Sequence, residues 1–137
     1  MKHWISHNFI LNEERPLLPF LSLYYVHNSG VAFSLFHYLP GTALLTISAL
    51  LSLTILWLYI KIPKDHLYQQ WGFLIILSGA IGNLIDRARF HYVIDYIYFH
   101  VPPSFSFAIF NLADAFISLG AAFIILDEIR LLWKKKK

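Results

Sequence analysis

Residues 39–60 run for 22 positions without one charged side chain. Coiled as an α-helix at 1.5 Å per residue, such a run is roughly 33 Å long, enough to cross a hydrocarbon core of about 30 Å. The rest of the chain supports an apolar surrounding. Of its 137 residues 58% are hydrophobic and 14% charged, against roughly 45–50% and about 25% in soluble domains. With so little charge to cover a small body, much of the apolar surface is expected to face lipid.

Two more runs read as spans. Residues 67–85 carry no charge, begin after the polar turn Lys61-Ile62-Pro63-Lys64-Asp65-His66 and stop at Asp86-Arg87. Residues 105–126 carry one charge, Asp114, and end in Asp127, Glu128, Arg130 and lysines. The expected fold is therefore mainly α and integral to the membrane, with three transmembrane helices in one domain. Basic residues in short connections stay on the cytoplasmic side, which places Lys61, Lys64 and the tail 127–137 inside, and 1–38 and 86–104 outside. Residues 20–34 and 92–101 are rich in Tyr, Val, Ile and Phe, the composition of extended chain, and a small extracytoplasmic β cradle accommodates both. Tyrosines and Trp4, Trp57, Trp71 and Trp133 read as interfacial anchors.

Net charge is +3, but four of the eleven basic residues are the lysines 134–137, so contact with anionic lipid is expected rather than a nucleic-acid groove. The absence of cysteine excludes disulfides, thiolate metal sites and cysteine nucleophiles. Glu13, Glu14 and Arg15 interrupt the first twenty residues, which do not form a signal peptide.

The carboxylates carry the chemical information. Asp114 lies one or two turns into the third run, where an unpaired charge costs about 2.5–3.5 kcal/mol at the bilayer centre and less near the interface. Asn111 precedes it by three residues, and the second run ends with the same spacing in Asn83 and Asp86, so each acid is expected to share a helical face with an amide. Asp95 follows in the extracytoplasmic strand. Two carboxylates in one desolvated site cannot both ionise, so one keeps a proton while the other acts as a base on water, the aspartic-protease arrangement. Asn28, Asn83 and Asn111 could hold the peptide or the developing oxyanion. Asp86 reads as a helix-end partner of Arg87 and belongs to the support. Ser78, Gly79 and Gly82 read as a close-packing face. The seven histidines do not read as metal ligands, there being no pair at i, i+4 on a helix beside an acid; no metal or other cofactor is expected.

Four segments in this order, Asn28-Ser29-Gly30-Val31-Ala32-Phe33, Gly79-Ala80-Ile81-Gly82-Asn83-Leu84-Ile85-Asp86-Arg87, Val93-Ile94-Asp95-Tyr96 and Phe110-Asn111-Leu112-Ala113-Asp114, resemble the lipoprotein signal peptidases, or type II signal peptidases. The resemblance implies a cofactor-free aspartic endopeptidase of the bacterial cytoplasmic (inner) membrane that cleaves prolipoproteins ahead of a diacylglyceryl-cysteine at the extracytoplasmic face. It implies Asp95 and Asp114 as the catalytic pair, with Asn28, Gly30, Asn83, Asp86, Arg87 and Asn111 as substrate-binding or supporting residues, and a mobile flap around 96–103. It also implies a further apolar helix ahead of Met1, ending in an Asp-Gln-x-x-Lys motif whose lysine corresponds to Lys2; a start codon assigned too late is the expected reason for its absence. A monomer is expected, with prolipoproteins and membrane lipid as partners.

Two other readings compete. A truncated homologue would bind lipidated precursors without cutting them. A proton-conducting subunit would need further ionisable groups deep in the other spans, and residues 39–60 and 67–85 have none.

Overall fold

The structure, a computed structural model, describes residues 1–30, 40–101 and 105–135. Its elements are α1 (Lys2–Asn8), β1 (Glu14–Leu18), β2 (Leu21–Asn28), α2 (Gly41–Lys61), α3 (Leu67–Phe90), β3 (Val93–Val101), β4 (Phe105–Ser106) and α4 (Leu112–Lys135). They fall into two compact units, Met1–Leu45 with Ile85–Leu112 and Thr46–Leu84 with Ala113–Lys137.

The first unit is built on an antiparallel sheet in the order β1-β2-β3-β4. Side chains alternate across a strand, so Ile94 and Tyr96 of β3 share one face while Asp95 takes the other. Ile94 and Tyr96 pack with Tyr25, Ile5 and Phe9 in the unit's apolar cluster. Ile5 is the residue α1 buries completely, a contribution of about 1.5–3 kcal/mol; a charge there would detach the helix from the sheet. β2 carries one residue more than β3 between the pairs Leu23↔Ile97 and Val26↔Asp95. Such a bulge re-aims the side chains beyond it, and here it stands opposite Tyr96, next to Asp95.

α3 ends at Phe90 because His91 adopts a left-handed conformation, φ 64°, with its N–H donating to the Arg87 carbonyl at 3.0 Å. A Cβ on Gly41, at the start of α2, would lie 2.9 Å from the His91 Cβ, so only glycine lets the chain pass there. Left-handed backbone costs a non-glycine residue about 1–2 kcal/mol, and glycine forfeits about 0.4–1 kcal/mol through unfolded-state entropy. His91→Gly is therefore expected to stabilise the protein by roughly 0.5–1 kcal/mol, read as a higher midpoint in thermal unfolding; a lower midpoint would contradict the reading.

The second unit inverts the pattern of a water-soluble core. Every buried apolar side chain among the described residues belongs to the first unit, whereas the second buries Ser52, Gln69, Asn83 and Asp127. Leu50, Leu51, Leu53, Trp57 and Ile60 of α2 and Ile125, Leu126 and Leu132 of α4 are each more than half exposed. Among the described residues one helix, α2, is long and apolar enough to cross a membrane by length and composition. α3 and α4 meet through glycine. A Cβ on Gly79 would overlap the Ala113 carbonyl oxygen, and one on Gly72 would lie 2.8 Å from the Gly120 carbonyl oxygen. Gln69 donates to Glu128 Oε1 at 2.7 Å further along the same helix pair.

Several expectations shift. The third run does not begin as helix at 105: Phe105 and Ser106 pair with Val101 and His100, and Phe110 bridges Ile97. Those backbone groups find sheet partners, so α4 starts at Leu112, leaving Asp114 in its first turn instead of one or two turns in. α3 extends past 85 to Phe90, so Asp86 and Arg87 lie on helix and not in a loop. α1 and β1 have no counterpart in the sequence reading. In the extended chain expected over 20–34, β2 ends at Asn28, and 31–34 lie outside the described residues. The flap expected over 96–103 is β3 as far as Val101, and Pro102 and Pro103 lie outside the described residues. Gly79 and Gly82 do face α4, with a Gly82 Cβ at 3.4 Å from that of Ala113, but Ser78 is exposed and donates back to the Leu74 carbonyl.

Candidate active site

In the first unit the site is organised around Asp95, whose exposure is 1%. Both carboxylate oxygens accept from amides: Oδ1 from Asn111 Nδ2 at 2.6 Å and Oδ2 from Asn28 Nδ2 at 2.8 Å. Asn28 lies at the end of β2 on the side of the bulge that faces Asp95, and its own Oδ1 accepts the Gly30 N–H at 3.0 Å. Asn111, completely buried, immediately precedes α4. Its place is fixed by the backbone beside it: the Phe110 carbonyl accepts the N–H groups of Tyr96 and Ile97 at 3.0 and 2.7 Å, and the Ile97 carbonyl accepts that of Phe110 at 3.0 Å. The Leu112 N–H, which opens α4 and has no intrahelical acceptor, donates to the Tyr96 hydroxyl at 3.3 Å. A buried carboxylate without donors would be costly; two neutral amides supply them.

Asp86 and Arg87 serve the same unit. Asp86 Oδ2 accepts from Lys2 Nζ at 2.7 Å and from the Ile94 N–H at 3.0 Å. The partner expected for Asp86 was the adjacent Arg87; the structure supplies Lys2, 84 positions away, while an Arg87 Nη reaches the Gly30 carbonyl at 3.4 Å. On the opposite face of β2 the Tyr25 hydroxyl and His27 Nε2 are 2.8 Å apart. Burial, with Tyr92 adding to it, holds the Tyr25 hydroxyl above the usual phenol range, and burial holds the His27 ring below the usual imidazole range. Near neutral pH this is an uncharged pair, a support for the strand rather than a proton donor to chemistry.

In the second unit Asn83 Nδ2 donates to Asp114 Oδ1 at 2.7 Å. Asn83 is buried and Asp114 half-buried. The repeated Asn-x-x-Asp spacing thus works differently from the expected local pairs. Asn83 donates to Asp114, and Asn111 donates to Asp95. Each amide reaches an acid on another element, which spacing along one helix could not reveal. Sequence reasoning also missed Tyr96 as the partner of Leu112, a bond that depends on where α4 begins.

His3 and His7 stand at i, i+4 on α1, with rings stacked at 4.0 Å. No acid joins them, and among the described residues no group of three or more His, Cys, Asp or Glu is placed to hold a metal ion.

A family model described as signal peptidase (SPase) II matches residues 1–130. The chain belongs to the signal peptidase II family of aspartic peptidases. Its relatives include lipoprotein signal peptidases of Bartonella quintana, 47% identical over the whole chain and 81% of the relative's length, and of Bartonella henselae, 48% identical over the whole chain and 83% of the relative. That of Mesorhizobium japonicum is 45% identical over 99% of this chain and 80% of the relative. A solved structure described as a bacterial membrane enzyme superposes with a TM-score of 0.83 at 25% identity, over 94% of this chain and 78% of the other.

Proposed function

We propose that Asp95 and Asp114 are the carboxyl groups with which this signal peptidase hydrolyses the peptide bond ahead of a diacylglyceryl-modified cysteine in bacterial prolipoproteins. The observation that carries the assignment is the setting of Asp95, a carboxylate 1% exposed and held on both oxygens by the amides of Asn28 and Asn111. Asp114, bound to Asn83, is the second acid. One carboxylate takes a proton from water as the oxygen attacks the scissile carbonyl carbon; the other, protonated, donates to the carbonyl oxygen. The tetrahedral adduct then expels the cysteine amine, which leaves with the proton taken from water, while the adduct's hydroxyl returns the other proton to the second carboxylate. Asn28, Gly30, Asn83, Asp86, Arg87 and Asn111 support the acids and the peptide, and no cofactor enters the scheme.

The proposed working unit is one chain in the bacterial cytoplasmic (inner) membrane, forming a single domain. α2, α3 and α4 cross the bilayer, with 1–38 and the sheet at the extracytoplasmic face and 127–137 at the cytoplasmic side. The exposed aliphatic side chains of α2 and α4 favour this reading, as do Lys61 and Lys64 in the connection between α2 and α3. α3 and α4 have 24 residues each, about 36 Å of helix.

The test is cleavage of a diacylglyceryl-modified precursor by the full chain in lipid. Release of the signal peptide, undiminished by a chelator, is expected. A precursor that binds and stays intact through long incubation would instead identify a non-catalytic homologue that only holds lipidated precursors.

A further inference from the structure

We infer that Lys2 is a positioning residue for Asp95, acting through the Asp86 carboxylate and the backbone of β3. This rests on the assignment of Asp95 made above and extends it to the residue that sets its place. Lys2 Nζ and Asp86 Oδ2 are 2.7 Å apart, with side chains 18% and 8% exposed. The same Asp86 oxygen accepts the N–H of Ile94, the residue before Asp95. The residue after it, Tyr96, donates its N–H to the Phe110 carbonyl. In a strand, residues two apart present their N–H groups to the same edge. Asp95 is thus bracketed on one edge of β3, by the Lys2–Asp86 pair on one side and by the backbone leading into Asn111 on the other.

The two brackets differ in kind. The Phe110 bracket is backbone on backbone and is indifferent to side-chain identity. The Asp86 bracket depends on a buried charge, which keeps its position only while its cation is present, because a buried carboxylate stripped of its partner draws in water or moves. The Ile94 N–H then loses its acceptor, and Asp95 shifts against the amides of Asn28 and Asn111. A misplacement of about 1 Å at a reacting group can lower a rate on the order of 10²-fold. Lys2 touches no reacting atom in this scheme; it sets where one of them sits.

Three variants of the full chain, assayed for steady-state cleavage of a diacylglyceryl-modified precursor peptide, test the inference. Lys2→Met is expected to lower kcat by about 10–100-fold with KM little changed, since a shifted acid impairs the chemical step and not precursor binding. Combining Lys2→Met with Asp86→Asn removes both buried charges yet keeps an acceptor oxygen for the Ile94 N–H, so kcat is expected to rise at least about tenfold above Lys2→Met alone. Wild-type kcat in Lys2→Met, a defect confined to KM, or a double variant no better than the single overturns the inference. If Lys2→Met does not accumulate in the membrane, the double variant decides by itself: kcat within about tenfold of wild type supports the inference, and a loss as deep as that of Asp95→Asn overturns it. Asp95→Asn in the same assay separates the two claims. An active Asp95→Asn chain defeats the catalytic assignment; an inactive one beside a fully active Lys2→Met chain defeats only the role of Lys2.

Discussion

Asp95→Asn is expected to lower kcat for a lipidated precursor by on the order of 10³-fold or more, and Asp114→Asn by a similar factor, within or beyond the 10²–10⁴ usual for removing an acid–base group. The double variant should be little worse than either single one, because groups that act as a unit do not contribute additively. The geometry around Asp95 allows a control. Both its oxygens accept, from Asn111 and from Asn28, so an amide introduced there sets one N–H₂ against another, and the lost bond costs about 1–3 kcal/mol. Adding Asn28→Asp to Asp95→Asn restores a donor–acceptor pair with the roles exchanged. If Asp95 acts chemically, that double variant regains thermal stability and stays inactive. If it regains cleavage, the carboxylate had only a structural duty.

The second large effect is expected at a residue that has no side chain. A side chain at Gly79 has nowhere to go: its first carbon would overlap the Ala113 carbonyl oxygen, with Ile117 Cγ1 at 2.9 Å and the Ile117 nitrogen at 3.2 Å. Two of these three neighbours are backbone and cannot rotate aside. Gly79→Val must push α3 and α4 apart, where overpacking typically costs about 1–3 kcal/mol and more against rigid neighbours. Asn83 lies about one turn along α3 and Asp114 directly follows Ala113, so the 2.7 Å bond between them opens with the helices. Near-complete loss of cleavage is expected, together with a lowered unfolding midpoint. Gly82→Ala serves as the comparison, since a Cβ there meets the Ala113 methyl at 3.4 Å, and it should keep most of both. Equal tolerance at 79 and 82 would contradict this account of the seam.

What could be read from the sequence follows from range. α2 was legible because a long uncharged run has few alternatives, and its observed bounds, Gly41–Lys61, lie close to the expected 39–60. β3 was legible from its aromatic and β-branched residues. β1 was not, because Pro16 and two charges disguise it; it is an edge strand, where proline is tolerated. α1 has seven residues, too few for a periodic pattern. The start of α4 was misplaced because apolar content alone does not distinguish a helix from a short strand. At the site, residue types were legible and partners were not. Asn28 and Asp95 are 67 positions apart, and Asn83 and Asp114 31, distances at which spacing carries no information. The ordered motifs of the family named these residues together without saying which amide serves which acid.

The extra residue of β2 between Leu23 and Val26 bears on what kinds of genetic change this stretch can absorb. Substitutions at Tyr24 or Tyr25 alter packing, whereas losing a single codon there would remove the bulge and straighten the ladder, with the pairs on either side of it kept in register. Among descendants of this gene, Tyr25 is expected to persist with the buried cluster it completes, while Tyr24 is freer to drift.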